Sequence, residues 1–357
     1  MTYSPAGKKS TLIASRRQLA TVIDLNKCLA CQTCSVACKG LWSKHPGADH
    51  MRFANVTNEP GAGYPRQWRG MGGGYEGAEP RPGRLPNLSD YGGGPRSFNH
   101  EQVTRQGAGQ QVHLQLLDSA GKPATWGYNW DEEVGGGQWP NPYYINLPRK
   151  CNHCSKPACV DACPKGAIYK RRSDGIVLID QDRCSGHRFC IEACPYKAIF
   201  FNPVTQKSEK CIECFPRVDQ GIAPACNRQC IGRARHYGYM DDEGGDVFKL
   251  VEKWHVALPL HPEYGTSPNV FYVPPLSPQA FDRDGKLLDE MRIPTDQLEE
   301  LFGAGVPRVL AVLQQEIAKR KAGESSELID LLVGRVWSDR FGGFDGDPAR
   351  RPGEHDE

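Results

Sequence analysis

A chain of 357 residues, 39% hydrophobic and 24% charged, is long enough for two or three domains and buries a sizeable core without needing disulfides or metal to rescue a small fold. Its 44 basic and 42 acidic residues leave a formal charge of +2, and their interspersion supplies no basic stripe, which excludes nucleic acid as a partner. No run approaches the ~18 to 20 apolar residues that cross a bilayer, so a direct membrane span is excluded and any membrane contact goes through a partner.

Taken in chain order, Arg16 and Arg17 invite a twin-arginine export reading. They are succeeded by Leu19 to Asp24 and then Cys28, not by an apolar segment with a cleavage site, so a signal peptide is not expected. Leu19 to Leu25 predicts a strand. It leads into a first cysteine group, Cys28, Cys31, Cys34 and Cys38, spaced CxxCxxCxxxC.

From Pro60 to Pro142 the chain carries 18 of its 39 glycines, a composition that rarely packs as helix or strand. Trp68, Tyr91, Trp126, Tyr128, Trp130 and Trp139 are costly to leave in water. The segment therefore reads as a solvated insertion or, the favoured alternative, a loop lying over a partner.

The second group is Cys151, Cys154, Cys159 and Cys163, followed by Pro164. A strand at Ala167 to Lys170, a turn at Asp174 and Gly175 and a strand at Ile176 to Ile179 come next. The third group is Cys184, Cys190 and Cys194, followed by Pro195, with His187 where CxxC spacing would put a cysteine. A strand at Ala198 to Phe201 separates it from the fourth group, Cys211, Cys214, Cys226 and Cys230. Beyond Gly238 the cysteine motifs stop. Proline-rich chain from Leu258 to Pro294 precedes predicted helices at Val306 to Lys321 and Ser325 to Trp337, the latter with Leu328, Leu331, Leu332 and Val336 at helical spacing.

Fifteen cysteines are an odd number, bunched at short intervals, and point to thiolate ligation of metal instead of disulfides. Structural zinc takes four ligands, usually as separated CxxC pairs, and runs of three or four cysteines over-supply it. A thioredoxin-like dithiol needs one CxxC. Iron-sulfur clusters suit these spacings, because a cubane needs several thiolates on one tight loop. In the two-cluster ferredoxin pattern the fourth cysteine ligates the other cluster, an arrangement read here as the fourth cysteine starting a helix that leads away from its own loop.

Groups two and three, adjacent and both ending in Cys-Pro, then exchange ligands, and groups one and four do the same. Four sites result: Cys28, Cys31, Cys34 with Cys230 (4Fe-4S); Cys38 with Cys211, Cys214 and Cys226 (4Fe-4S); Cys151, Cys154, Cys159 with Cys194 (4Fe-4S); and Cys163 with Cys184 and Cys190. At the last, His187 either leaves a corner vacant, giving 3Fe-4S, the favoured reading, or ligates iron as imidazole does in Rieske centres. His153, inside CNHC, is expected to hydrogen-bond or pack near cluster sulfur. Thiolates and cores together carry the formal charge to roughly −6. Lys150, Lys156, Lys165, Arg183, Arg188, Lys197, Lys210, Arg228, Arg233 and Arg235 balance that charge, each expected singly at the solvated surface.

DLNKCLACQTCSVACKGLW, LPRKCNHCSKPACVDACPKGAIYKR, DRCSGHRFCIEACPYKAIFFN and KCIECFPRVDQGIAPACNRQCIGRARHYGY resemble, in order, the four motifs of the iron-sulfur beta subunits of molybdenum enzymes in the dimethyl sulfoxide reductase family. The likeness covers roughly residues 19 to 275. It is strongest to the branch of nitrate, selenate and chlorate reductases and ethylbenzene and dimethyl sulfide dehydrogenases, where an aromatic residue usually stands at the position of His187 beside a three-iron cluster.

The resemblance implies an α+β fold of two bacterial ferredoxin-like domains in pseudo-two-fold arrangement, with long irregular loops and a C-terminal helical tail. Residues 1–59 would form the first half with motif one, 60–142 the insertion, and 143–205 the domain of motifs two and three. Residues 206–257 would complete the first half with motif four, and 258–357 form the docking tail. It further implies three 4Fe-4S clusters and one 3Fe-4S cluster relaying single electrons between a molybdenum-pyranopterin alpha subunit and a haem b gamma subunit or other redox partner. The chain itself would have no catalytic residue. Its location would be the periplasm, by co-export with the catalytic subunit, or alternatively the cytoplasm. The same relay in a hydrogenase or formate dehydrogenase complex, and a cluster-stabilised scaffold, are the competing readings; the CxGRxR ending of motif four argues against the former.

Overall fold

The computed structural model of the chain describes residues 15, 17–91, 96–98, 116–118 and 135–346. Arg16, Gly92 to Gly94, Trp126, Tyr128 and Trp130, which figure in the export and insertion expectations, lie outside the described residues. Strand and helix are mixed, as expected of an α+β chain.

The β-branched run of β1 (Leu19–Asp24) is buried along its whole length. It ends where the Asp24 carboxylate accepts from the Asn26 N–H at 3.0 Å, capping a short turn that presents Cys28. Helix α1 (Thr33–Trp42) comes next. Strands β2 (Ala54–Glu59) and β3 (Ile145–Lys150) pair antiparallel from Ala54↔Lys150 to Glu59↔Ile145, so the glycine-rich segment leaves and re-enters through one ladder.

Part of that segment belongs to the core, contrary to the partner-surface expectation. Trp68 is 1% exposed, with the Arg149 guanidinium 3.5 Å from its ring centroid, and Tyr91 packs on Tyr64 and Phe200. Trp139, by contrast, is 89% exposed.

The middle of the chain is built from short elements: α2 (Ala158–Asp161), the hairpin of β4 (Ile168–Lys170) and β5 (Val177–Ile179), α3 (Phe189–Ala193) and the hairpin of β6 (Ile199–Asn202) and β7 (Lys207–Lys210). Then come α4 (Phe215–Val218), α5 (Ala225–Arg228), β8 (Arg235–Tyr239), β9 (Leu258–Pro259) and β10 (Val270–Val273). The largest sheet has the order β8-β1-β10-β9. In it β1 runs antiparallel to β8 (Ile23↔Arg235) and parallel to β10 (Thr21↔Val270).

Alternation along β1 buries both faces. Ile23 joins Leu147, Ile168, Val177, Ile199 and Tyr272 in one core, while Ala20 and Val22 join Leu313, Leu328 and Leu332 in another. The second core lies under α7 (Val306–Lys321) and α8 (Glu327–Val333), which come after α6 (Thr295–Phe302). Helix α8 is shorter than the periodicity predicts. Ser326 caps its start by accepting from the Ile329 N–H at 3.2 Å, and Gly334, with φ +60°, ends it.

Candidate metal centres

Each cysteine group is a loop running into a helix, and the loops turn sharply before the helices begin. Gln32, Arg188 and Cys214 hold φ of 55°, 67° and 51°, left-handed conformations that cost non-glycine residues energy and recur at functional sites. The third cysteine of a group lies in the helix: Cys34 in α1, Cys159 in α2, Cys190 in α3 and Cys226 in α5. The expectation that the fourth cysteine starts a helix is corrected here. Cys38 lies one turn along α1, Cys194 is the residue that ends α3, and Cys163 and Cys230 come after their helices. Four residues after the third cysteine is about one helical turn, which carries the fourth thiol to the far end. Pro164 and Pro195 then prevent continuation.

Helix α1 packs against α5, and α2 against α3, so groups one and four adjoin, as do two and three. Cys28, Cys31, Cys34 and Cys230 line one cavity. Cys163, Cys184 and Cys190 line another, with His187 and Ser208 in its wall.

The remaining thiols feel one another's charge. Burial, then Cys226 and Cys214, raise the Cys38 thiol well above its ordinary range. Burial, then Cys194, Cys151 and Cys154, do the same to Cys159. Cys28 is pushed up to about 11 and Cys190 to about 12, burial being the main cause in both. Thiols crowded and desolvated in this way strongly disfavour the anion on their own, and a bound metal cation reverses that balance. All fifteen cysteines are free.

The sulfurs also meet donors. Ala234 N–H points at Cys230 Sγ (3.4 Å), Ser208 N–H at Cys184 Sγ (3.4 Å), Ala167 N–H at Cys163 Sγ (3.3 Å) and Glu213 N–H at Cys211 Sγ (3.4 Å). The Trp42 indole N–H reaches Cys214 Sγ at 3.0 Å. Donors aimed at sulfur, together with buried convergent thiols, fit iron-sulfur ligation.

Two sites are joined by a buried charge network. Lys150 donates to Glu213 Oε1, and Lys150 Nζ also reaches Thr21 Oγ1 at 3.0 Å. His153 Nε2 lies 3.1 Å from Glu213 Oε2, while its Nδ1 accepts from the Val177 N–H at 3.0 Å. Burial alone would raise the Glu213 carboxyl, but Lys150 and His153 hold it well below the usual range. Burial, with Lys210 nearby, lowers His153 to about 3 and keeps it neutral. His153, Cys211 and Glu213 bring ligand atoms within 4.8 Å of one another, yet the Lys150 ammonium already compensates the carboxylate.

His153 thus hydrogen-bonds a neighbouring strand and faces the Glu213 carboxylate, with the Cys211 sulfur within 4.8 Å. Lys150, Lys197, Lys210 and Arg235 are buried, correcting the expectation of solvated basic residues. Lys156, Lys165, Arg183, Arg188 and Arg233 are exposed, and Arg228 is half-buried. Trp42 and Glu213 were not singled out from sequence. Their signals were the i,i+4 spacing of Trp42 from Cys38 on one helix face and an acid between two cysteines.

Residues 142–240 match the model of a 4Fe-4S dicluster domain. The chain is similar to the chlorate reductase subunit beta of Ideonella dechloratans, 52% identical over 332 residues, covering 92% of this chain and 99% of the relative. It is equally similar to the selenate reductase subunit beta of Thauera selenatis, 52% identical with the same coverage. To the dimethylsulfide dehydrogenase subunit beta of Rhodovulum sulfidophilum it is 49% identical, covering 89% of this chain and 96% of the relative.

Proposed function

This chain belongs to the iron-sulfur beta subunits of the dimethyl sulfoxide reductase family of molybdoenzymes, and from that premise we propose which residues hold its clusters and which partners it joins. It is an electron-transfer subunit, without substrate chemistry of its own, of a molybdenum oxidoreductase with a catalytic alpha partner.

Cys28, Cys31, Cys34 and Cys230 hold one 4Fe-4S cluster; Cys38, Cys211, Cys214 and Cys226 a second; Cys151, Cys154, Cys159 and Cys194 a third. Cys163, Cys184 and Cys190 hold a 3Fe-4S cluster, with His187 beside it and not bound. When bound, such clusters accept and release single electrons at potentials set by hydrogen bonds, charge and burial. The observation that carries this reading is the convergence of thiols from paired motifs on common cavities. The protein's share of the work is to hold those thiols with N–H donors, exclude water and bury compensating charge.

The two halves are read as ferredoxin-like domains in pseudo-two-fold relation, supported by the α1–α5 and α2–α3 pairings. On the family likeness, the site of Cys28 faces the alpha subunit and that of Cys163 a haem b gamma subunit. Among the described residues no helix is long and apolar enough to cross a membrane. Co-export with the alpha subunit would carry the complex to the periplasm; osmotic-shock fractionation that leaves it with the cytoplasmic markers would refute that location.

Purification of the tagged chain from its native host, with metal and haem analysis, tests the whole reading. Molybdenum, haem b and about fifteen irons per chain are expected, with a three-iron signal in the oxidised protein. Iron without molybdenum, or four full cubanes without that signal, overturns the partner or the fourth-site assignment respectively.

A further inference from the structure

Holding cysteines at a cluster does not explain Arg235. It lies on β8 opposite Ile23 of β1, is 1% exposed, and lines the cavity ringed by Cys28, Cys31, Cys34 and Cys230. Its carbonyl accepts from Arg340 Nη1 at 2.9 Å, but its own Nη1 and Nη2 meet no acceptor among the described residues. A buried cation without a counter-charge costs several kcal/mol, and guanidinium cannot shed its proton to escape that cost.

The groups that bear on it are thiols. Burial works against its charge, while Cys34, Cys226, Cys230 and Cys28 all act to hold it. Three of these line the same cavity; Cys226 belongs to the neighbouring set of Cys38, Cys211 and Cys214. Strand β8, which carries Arg235, also packs against α5, which carries Cys226, so Arg235 borders both sets of cysteines, and its Nη1 and Nη2 meet neither carboxylate nor carbonyl among the described residues.

We propose that Arg235 is a potential-setting residue shared by two adjacent iron-sulfur sites, donating hydrogen bonds to sulfur at the Cys28–Cys31–Cys34–Cys230 site and raising its potential, and raising that of the Cys226 site by less. The proposal rests on the cluster assignment above. Reduction adds one negative charge to a site; a fixed cation in a low-dielectric interior stabilises the reduced form over the oxidised one. The planar fork of five donors can serve two directions at once, which a lysine ammonium cannot do in the same geometry.

The test is an EPR-monitored redox titration of the complete complex carrying Arg235→Gln or Arg235→Lys. In Arg235→Gln the reduction equilibrium of the first site falls about tenfold, ~59 mV for one electron, and the second site moves the same way by less. Arg235→Lys, which keeps the charge, lies between the two. Unchanged potentials at both sites in an Arg235→Gln complex that retains its iron overturn the proposal. Should that variant fail to assemble, wild-type complex labelled with 15N-arginine decides: pulsed EPR of the reduced first site shows nitrogen coupling, and absence of coupling refutes the contact. A wild-type complex lacking these clusters fails the assignment beneath the proposal, which iron analysis reports separately.

Discussion

Replacing Lys150 by methionine removes the cation of the buried network and keeps most of its volume. Glu213 is then left buried without its cation, with His153 as its remaining neighbour at 3.1 Å, and Thr21 Oγ1 loses its 3.0 Å donor. Breaking one partner of a buried pair costs about 3 to 5 kcal/mol. At ~2.1 cal/mol/K per residue, 357 residues unfold with an entropy of about 0.75 kcal/mol/K, so the loss is about 4 to 7 °C in the melting temperature. The double variant Lys150→Met with Glu213→Gln removes both charges and should recover most of that loss, because an apolar or neutral replacement of a buried pair is often close to neutral. Differential scanning fluorimetry of anaerobically purified complex at one scan rate, with iron content measured alongside, reads both. A single variant within about 1 °C of wild type, or a double variant no better than the single, would show that the network is not what holds these loops.

Other outcomes rest on named contacts. Burial lifts the Glu59 carboxyl, against Arg69 and Arg149, to about 7 from 4.5; a raised folded value means its stabilising protonation is present below the unfolded value and lost as pH rises through about 7. Glu59→Gln should therefore match wild type near pH 4.5 and exceed it by about 3 kcal/mol above pH 8, and parallel denaturation curves at the two pH values would refute this. Trp42→Phe deletes the N–H on Cys214 Sγ and should lower the potential of that site by roughly 60 mV or less; a rise would contradict the hydrogen bond. A Cβ on Gly186, which holds φ +67°, would stand 2.2 Å from the Gln206 carbonyl oxygen, so Gly186→Ala should lose the three-iron signal while the remaining iron stays. Cys190→Ser should lose the same signal and stop electron transfer, and normal turnover in that variant would break the relay reading.

The loops that collect thiols were readable from spacing, because two- and three-residue gaps act within one turn of chain. The hairpin strands were readable too: the expected Ala167 to Lys170 and Ile176 to Ile179 are found as β4 and β5 with each start trimmed by one residue. Spacing could not show the non-local pairings. Nothing near Leu19–Asp24 announces that Val270–Val273 lies parallel beside it, since that pairing depends on everything folded between. Charged residues misled for a related reason: Lys150 reads as solvated until Glu213 is seen to neutralise it, and Trp68 reads as part of a partner surface until Arg149 is seen to cover it. Position along a helix also mattered, for Cys38 falls inside α1 where the ferredoxin pattern alone suggested a helix start.

The order β8-β1-β10-β9 bears on how the protein is made. As the chain leaves the ribosome, β1 and the first three cysteines emerge with neither neighbouring strand in existence, and Cys230 arrives only after the middle of the chain. Groups two and three appear close together and bring their own hairpins. The cysteines of groups two and three are therefore complete before those of groups one and four, and the edge of β1 that faces β10 is paired only once Val273 has been made. A nascent or truncated product that stops earlier exposes an unpaired strand edge and open thiols, which gives surveillance by chaperones and proteases a simple sign that the chain is unfinished.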